Sequence, residues 1–193
     1  VTGADISHLM MEHLVDQLTP RHAPPDLVLA DATRLPFADA CFPAVMACHL
    51  LHLIPTWRQA VAEMRRVLQP GGVIILHSET NTDKTRPERW TAKWNELLAR
   101  HSFIRRKRPE PWDFRQAFRE IGGRLRTAII AEWEEHQPLS EYLEEVRNRV
   151  HSWTWEIPED IFEACFDEFA EWALTNMQLD RGVIYEMDIW TFD

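Results

Sequence analysis

Along the first eighty residues, short apolar runs alternate with stretches of helical periodicity. Val1–Ala4 reads as the end of a strand, stopped by Asp5 and followed by Ser7, a natural helix N-cap. Met10, Leu14 and Leu18 recur every fourth residue, which predicts an amphipathic helix over His8–Leu18. Pro20, Pro24 and Pro25 end it. Leu27–Ala30 and Ala44–Cys48 are wholly apolar and predict strands buried on both faces, with Pro43 tolerated at the entrance of the second. Thr33–Cys41 is a loop. Thr56 opens the next helix, Gln59 stands where a capping box needs it, and Val61, Met64 and Leu68 mark the buried stripe. Pro70-Gly71-Gly72 stops that helix, and Val73–Leu76 is one more apolar strand. Strands alternating with helices across short links predict a parallel sheet covered by helices.

Beyond Glu79 the alternation lapses. A helix around Trp90–Leu98 leads into a basic loop, and Asp113 is expected to cap a helix carrying Phe114, Phe118 and Ile121. Leu125–Trp133 reads as a strand. Two helices then follow in a row. Ser140–Val150 carries Leu143, Val146 and Val150; Pro158–Met177, with proline in its first turn, carries Ile161, Cys165, Phe169 and Ala173. A strand with period-two alternation, Val183–Phe192, ends the sequence.

Composition narrows the function classes. The net charge is -10, and residues 111–193 carry 7 Lys/Arg against 19 Asp/Glu, which argues against a surface devoted to nucleic acid. Residues 80–110 reverse the balance with 9 against 4, centred on Arg105–Arg108; a solvated basic loop or a patch for an anionic substrate or RNA both fit. No apolar run is long enough to cross a bilayer. Cys41, Cys48 and Cys165 lack disulfide or zinc spacing, so buried free thiols in a reducing, cytoplasmic setting are expected.

Three segments in order carry a resemblance: Thr2-Gly3-Ala4-Asp5-Ile6-Ser7; Asp31-Ala32-Thr33-Arg34-Leu35-Pro36-Phe37, with Asp39 and Phe42 after it; and Arg65-Arg66-Val67-Leu68-Gln69-Pro70-Gly71-Gly72. Together they resemble a class I S-adenosylmethionine-dependent methyltransferase domain of the small-molecule type. The resemblance implies an α/β, Rossmann-like sheet, mostly parallel with an antiparallel C-terminal strand. It implies one domain over 1–193, with the first strand missing and a helical cap inserted late, at 138–178. It further implies S-adenosylmethionine as cofactor and methyl transfer to a small-molecule acceptor by in-line displacement.

By the same resemblance Asp5 matches the ribose ligand, since a carboxylate at a strand tip can take both ribose hydroxyls. Asp31 matches the acceptor for the adenine amine, and the Ala32 N–H meets a ring nitrogen. Ile6 and Cys48 complete the implied cofactor set. His49 follows the fourth strand of the family, near the transferred methyl, and is the candidate catalytic residue. His52, Trp153 and Trp155 are candidates for the substrate side. For both aspartates a turn or cap role is the competing reading, and for the histidines and tryptophans plain packing is. The His49–His52 pair lacks further ligands, so no metal is expected. The family's Gly-x-Gly-x-Gly loop has no counterpart among the six glycines here. The expectation is therefore either a methyltransferase or a non-catalytic, partner-completed fragment of one, with a nicotinamide-dependent oxidoreductase as a third possibility. An open slot is expected between Val1–Ala4 and Ala44–Cys48, where the family's first strand lies.

Overall fold

The computed structural model describes residues 1–17, 25–81, 85–136, 138–177 and 180–192. In chain order the elements are β1 (Thr2–Asp5), α1 (His8–Gln17), β2 (Asp26–Leu29), β3 (Phe42–Cys48), α2 (Trp57–Val67) and β4 (Leu68–Asn81). They continue with α3 (Thr85–Arg100), α4 (Pro111–Glu120), β5 (Arg124–His136), α5 (Leu139–Arg147), α6 (Glu159–Asn176) and β6 (Asp180–Thr191). Leu18 and the prolines at 20 and 24 lie outside the described residues.

Two sheets form. β1 and β2 pair in parallel as a two-stranded sheet, while the other four strands run in the order β3-β4-β6-β5. β3 and β4 are parallel, with Val45 opposite Ile74 and Cys48 opposite His77. The last strand in sequence thus inserts between β4 and β5. As expected, β1 and β3 are not paired with each other; they belong to different sheets, and one cavity is lined by residues of both.

By contact density the chain divides into two compact units. The first comprises residues 1–77, 109–127 and 188–193. Its core is Ala60, Val61, Met64, Leu68, Ile74, Phe118 and Trp190, joined by Leu51, Ala117 and Phe192. One buried carboxylate belongs to it: Asp188 accepts from Arg115 Nε at 2.6 Å and from Thr127 Oγ1 at 2.8 Å, so its charge is paired as burial requires. The second unit comprises residues 78–108 and 128–187. It is built on aromatic rings: Trp94 stacks on Phe169 at 4.5 Å between centroids, and Trp90 meets the same ring edge-on at 4.6 Å. Phe162, Phe166, Leu97 and Val146 close that core. No described helix is long and apolar enough to cross a membrane.

Several local expectations are corrected. α1 buries none of its residues, and Met10 and Leu14 are exposed. β2 buries neither face, and in β3 only Ala47 is buried. The apolar runs did mark strands, but most of their residues are exposed or half-buried. Thr56 precedes α2 without a side-chain cap bond, and Leu68 is the first residue of β4 instead of the last of the helix. Asp113 is not the N-cap of α4. Glu110 is, and Asp113 reaches back to its N–H at 2.8 Å to complete a capping box. Pro158 likewise precedes α6, and Val150 is exposed beyond the end of α5. Cys165 is buried as expected, whereas Cys41 and Cys48 are exposed, and all three are free thiols.

Candidate functional site

The parallel pairing of β1 and β2 sets Asp5 opposite Leu29, so Asp5 and Asp31 stand at the C-terminal ends of neighbouring strands. The Ala30 N–H donates to the Asp5 carbonyl at 2.8 Å and ties the two tips together. Each carboxylate also shapes its own turn. Asp5 Oδ1 accepts from the Ser7 N–H at 2.7 Å, and Ser7 Oγ accepts from the Met10 N–H at 3.3 Å, opening α1 as the sequence implied. Asp31 Oδ1 accepts from both the N–H and the hydroxyl of Thr33, each at 2.8 Å. Those bonds, the backbone one foremost, hold the Asp31 carboxyl below its ordinary range, so it stays ionised. Among the described residues, the hydrogen bonds of both side chains engage Oδ1; turn shaping and ligand binding therefore do not compete for the same oxygen.

Asp5, Ile6, Asp31 and Ala32 line one cavity of about 230 Å³, together with residues that include Met46 and Leu50. The loop beneath Asp31 is clamped from α2. Arg66 donates to the Leu35 and Phe37 carbonyls at 3.0 and 2.8 Å and to Asp39 at 2.7 Å. Glu63 accepts from Arg66 Nε at 2.7 Å and from the Leu35 N–H at 2.8 Å. Hydrogen bonding to Arg66 lowers the Glu63 carboxyl, burial partly opposing it.

The expected cofactor set thus comes together except for Cys48, which is not in the cavity wall. Cys48 ends β3, and its Sγ lies 3.0 Å from His77 Nδ1 on the adjoining strand. Burial pushes the Cys48 thiol up. His49, with φ of 46°, leaves the strand in a left-handed turn, and its ring meets the His77 ring edge-on at 5.3 Å. His52 sits in a 3-10 turn, Leu51–Leu53, outside this group. In the second unit the two tryptophans part company. Trp153 packs 5.3 Å from Trp94 beneath the Arg105 guanidinium, a core position. Trp155 is 59% exposed, its indole N–H donating to the Arg149 carbonyl at 2.8 Å. Sequence reasoning missed His77, which no spacing linked to Cys48. It also missed the Glu63–Arg66 clamp, whose three-residue spacing on a helix was a readable signal.

Asp5 and Asp31 thus share one cavity at two adjacent parallel strand tips, the end of a Rossmann-like sheet where ligands bind. Residues 1–76 match the family model described as a methyltransferase domain. That stretch, well under half of the chain, is similar to a methyltransferase domain. The chain is 31% identical over 107 residues to a phosphatidylethanolamine N-methyltransferase of Cereibacter sphaeroides, covering 53% of each. It is 40% identical over 75 residues to a demethylmenaquinone methyltransferase of Staphylococcus epidermidis, covering 39% of this chain and 31% of that protein. The matched stretches therefore span about half of the first relative and less of the second. Among solved structures, the YcgJ protein of Bacillus subtilis aligns over 99% of this chain and 81% of its own with a TM-score of 0.60 at 16% identity, a likeness of fold.

Proposed function

We propose that this methyltransferase domain binds S-adenosylmethionine through Asp5, Ile6, Asp31 and Ala32 and transfers its methyl group to a small-molecule acceptor. The observation that carries the reading is the shared cavity between the two aspartate-bearing strand tips. Asp5 offers a carboxylate oxygen to the ribose hydroxyls, and Asp31, kept ionised by Thr33, accepts from the adenine amine. Ile6 and Ala32 supply apolar walls. When bound, the cofactor supplies an electrophilic methyl group on a sulfonium. The protein's task is then alignment of the acceptor and exclusion of water. At the end of β3, His49 orients the acceptor's nucleophile by a hydrogen bond. The names of the relatives, a phosphatidylethanolamine N-methyltransferase and a demethylmenaquinone methyltransferase, support an acceptor that is not a protein or nucleic acid. Three free thiols support a reducing, cytoplasmic setting.

A second reading is favoured by the slot itself. β1 and β3 each present an edge that pairs with no described strand. In this reading residues 1–193 form one methyltransferase domain whose cofactor site is completed when a further strand occupies the slot, and the unaided chain is inactive.

Calorimetric titration with S-adenosylhomocysteine tests the assignment, performed on a protein preparation that binds it. Asp5→Ala should weaken binding about 10- to 100-fold, the loss of a charge-assisted contact. Unchanged affinity would remove Asp5 from the site.

A further inference from the structure

Cys48, His49 and His77 bring one soft and two borderline donors to a single point at the C-terminal ends of β3 and β4. Their donor atoms all lie within 4.8 Å of one another, and the Cys48 Sγ–His77 Nδ1 separation is 3.0 Å. Two features of the backbone produce this. Cys48 and His77 are register partners on parallel strands, so their side chains stand side by side on one face. Successive residues of a strand point to opposite faces. The left-handed turn at His49 breaks that alternation and lets His49 join its own neighbour. A tetrahedral zinc ion, with Zn–S about 2.3 Å and Zn–N about 2.0–2.1 Å, sets its donors roughly 3.3–3.6 Å apart. Cys48 and His49 are exposed and His77 is half-buried, so none of the three is locked in the core, and their donor atoms already lie within 4.8 Å of one another. Packing does not account for the thiol, because cysteine that merely fills space is buried.

We propose that Cys48, His49 and His77 bind a zinc-class divalent transition metal, with a fourth coordination position open to water or to a donor atom of a substrate. Binding replaces the Cys48 S–H bond by a sulfur–metal bond and releases the proton to solvent. Three protein ligands and one open position are the arrangement of catalytic zinc centres; structural ones are closed by four. The site needs neither Asp5 nor Asp31, so it is independent of the cofactor assignment; with metal bound, His49 acts on the acceptor as a ligand to the ion in place of the direct hydrogen bond proposed above.

Chelator-treated protein titrated with cobalt(II) tests it. One equivalent should bind per chain, with a thiolate-to-cobalt charge-transfer band and the strong visible bands of tetrahedral cobalt; zinc should displace it. Cys48→Ser should abolish the charge-transfer band, and His49→Gln and His77→Gln should each weaken zinc binding at least about tenfold. Cys41→Ser and Asp5→Ala should change neither. A wild-type titration without the band overturns the site. So does a band that survives Cys48→Ser, or zinc affinity lost instead on replacing His8 and His13 of α1. Should the substituted proteins fail to fold, alkylation of the wild-type thiols decides. Zinc should protect Cys48 while exposed Cys41 continues to react, and equal rates at both with and without zinc overturn the proposal.

Discussion

α1 and α2 lie on either side of the slot in sequence order and met opposite fates. α1 carries Leu9, Met10, Leu14 and Val15, all exposed. α2 carries Ala60, Val61, Met64 and Val67, all buried. Both sequences have apolar residues at helical spacing. The difference is the partner surface: α2 lies over Ile74 and Leu68 of β4 and over Phe118 of α4, within one continuous core. The sheet next to α1 has two short strands and buries no residue of either. Amphipathicity states which face should be covered, but burial contributes free energy only where apolar surface exists to cover it.

The comparison breaks if the two helices respond alike to truncation. Met64→Ala should destabilise the protein by about 2–5 kcal/mol, the range for a buried methionine. Met10→Ala, at an exposed site, should stay within about 0.5 kcal/mol. Denaturant melts of both variants decide; a comparable loss in each would mean that α1 is covered in solution.

A smaller effect sharpens the account of the well-packed side. A Cβ at Gly72 would stand 2.8 Å from both Leu68 Cδ1 and the Pro43 carbonyl oxygen. Gly72→Ala should cost about 1–3 kcal/mol through overpacking. Gly3, on the open side, would bring a Cβ 3.0 Å from Leu27 Cδ2 alone, a flexible side-chain end in an uncovered sheet, so Gly3→Ala should cost less. Thermal melts of the pair rank the two sides.

The smallest effect depends on pH. Hydrogen bonds from Arg66 and from the Leu35 N–H hold the Glu63 carboxyl below its ordinary value of 4.5. A carboxylate depressed on folding stabilises fully above its unfolded pKa and loses that contribution as pH falls through the folded value. The stability gap between wild type and Glu63→Gln should therefore be constant near neutrality and shrink below about pH 4.5. Amide exchange at Leu35 should quicken in the variant at neutral pH. A gap that widens toward acid would show that the clamp does not govern Glu63.

Much of the fold was legible because apolar runs and breakers are local signals. The β strands at Val73–Leu76 and Leu125–Trp133 and the buried faces of α5 and α6 were readable from periodicity, with boundaries off by a few residues. Capping was read less well. Asp113 had the chemistry of a cap, but its carboxylate serves the N–H of Glu110, a choice made by where the chain turns after the basic loop. Asp5, Ile6, Asp31 and Ala32 were named through the family resemblance, and the structure places the four around one cavity. Trp153 and Trp155 were indistinguishable in sequence, since only packing assigns one ring to a core and the other to solvent.

The sequence by itself determined the alternation of strands and helices, the aspartates at the strand tips and the lack of a glycine-rich loop pattern, because each is a property of contiguous residues. The tertiary structure alone decided which apolar faces are covered, why Gly72 must lack a side chain, and that Cys48 meets His77. Those outcomes depend on pairing and packing between segments far apart in the chain. Strand register placed a thiol beside an imidazole twenty-nine residues away, and no local pattern encodes that neighbour.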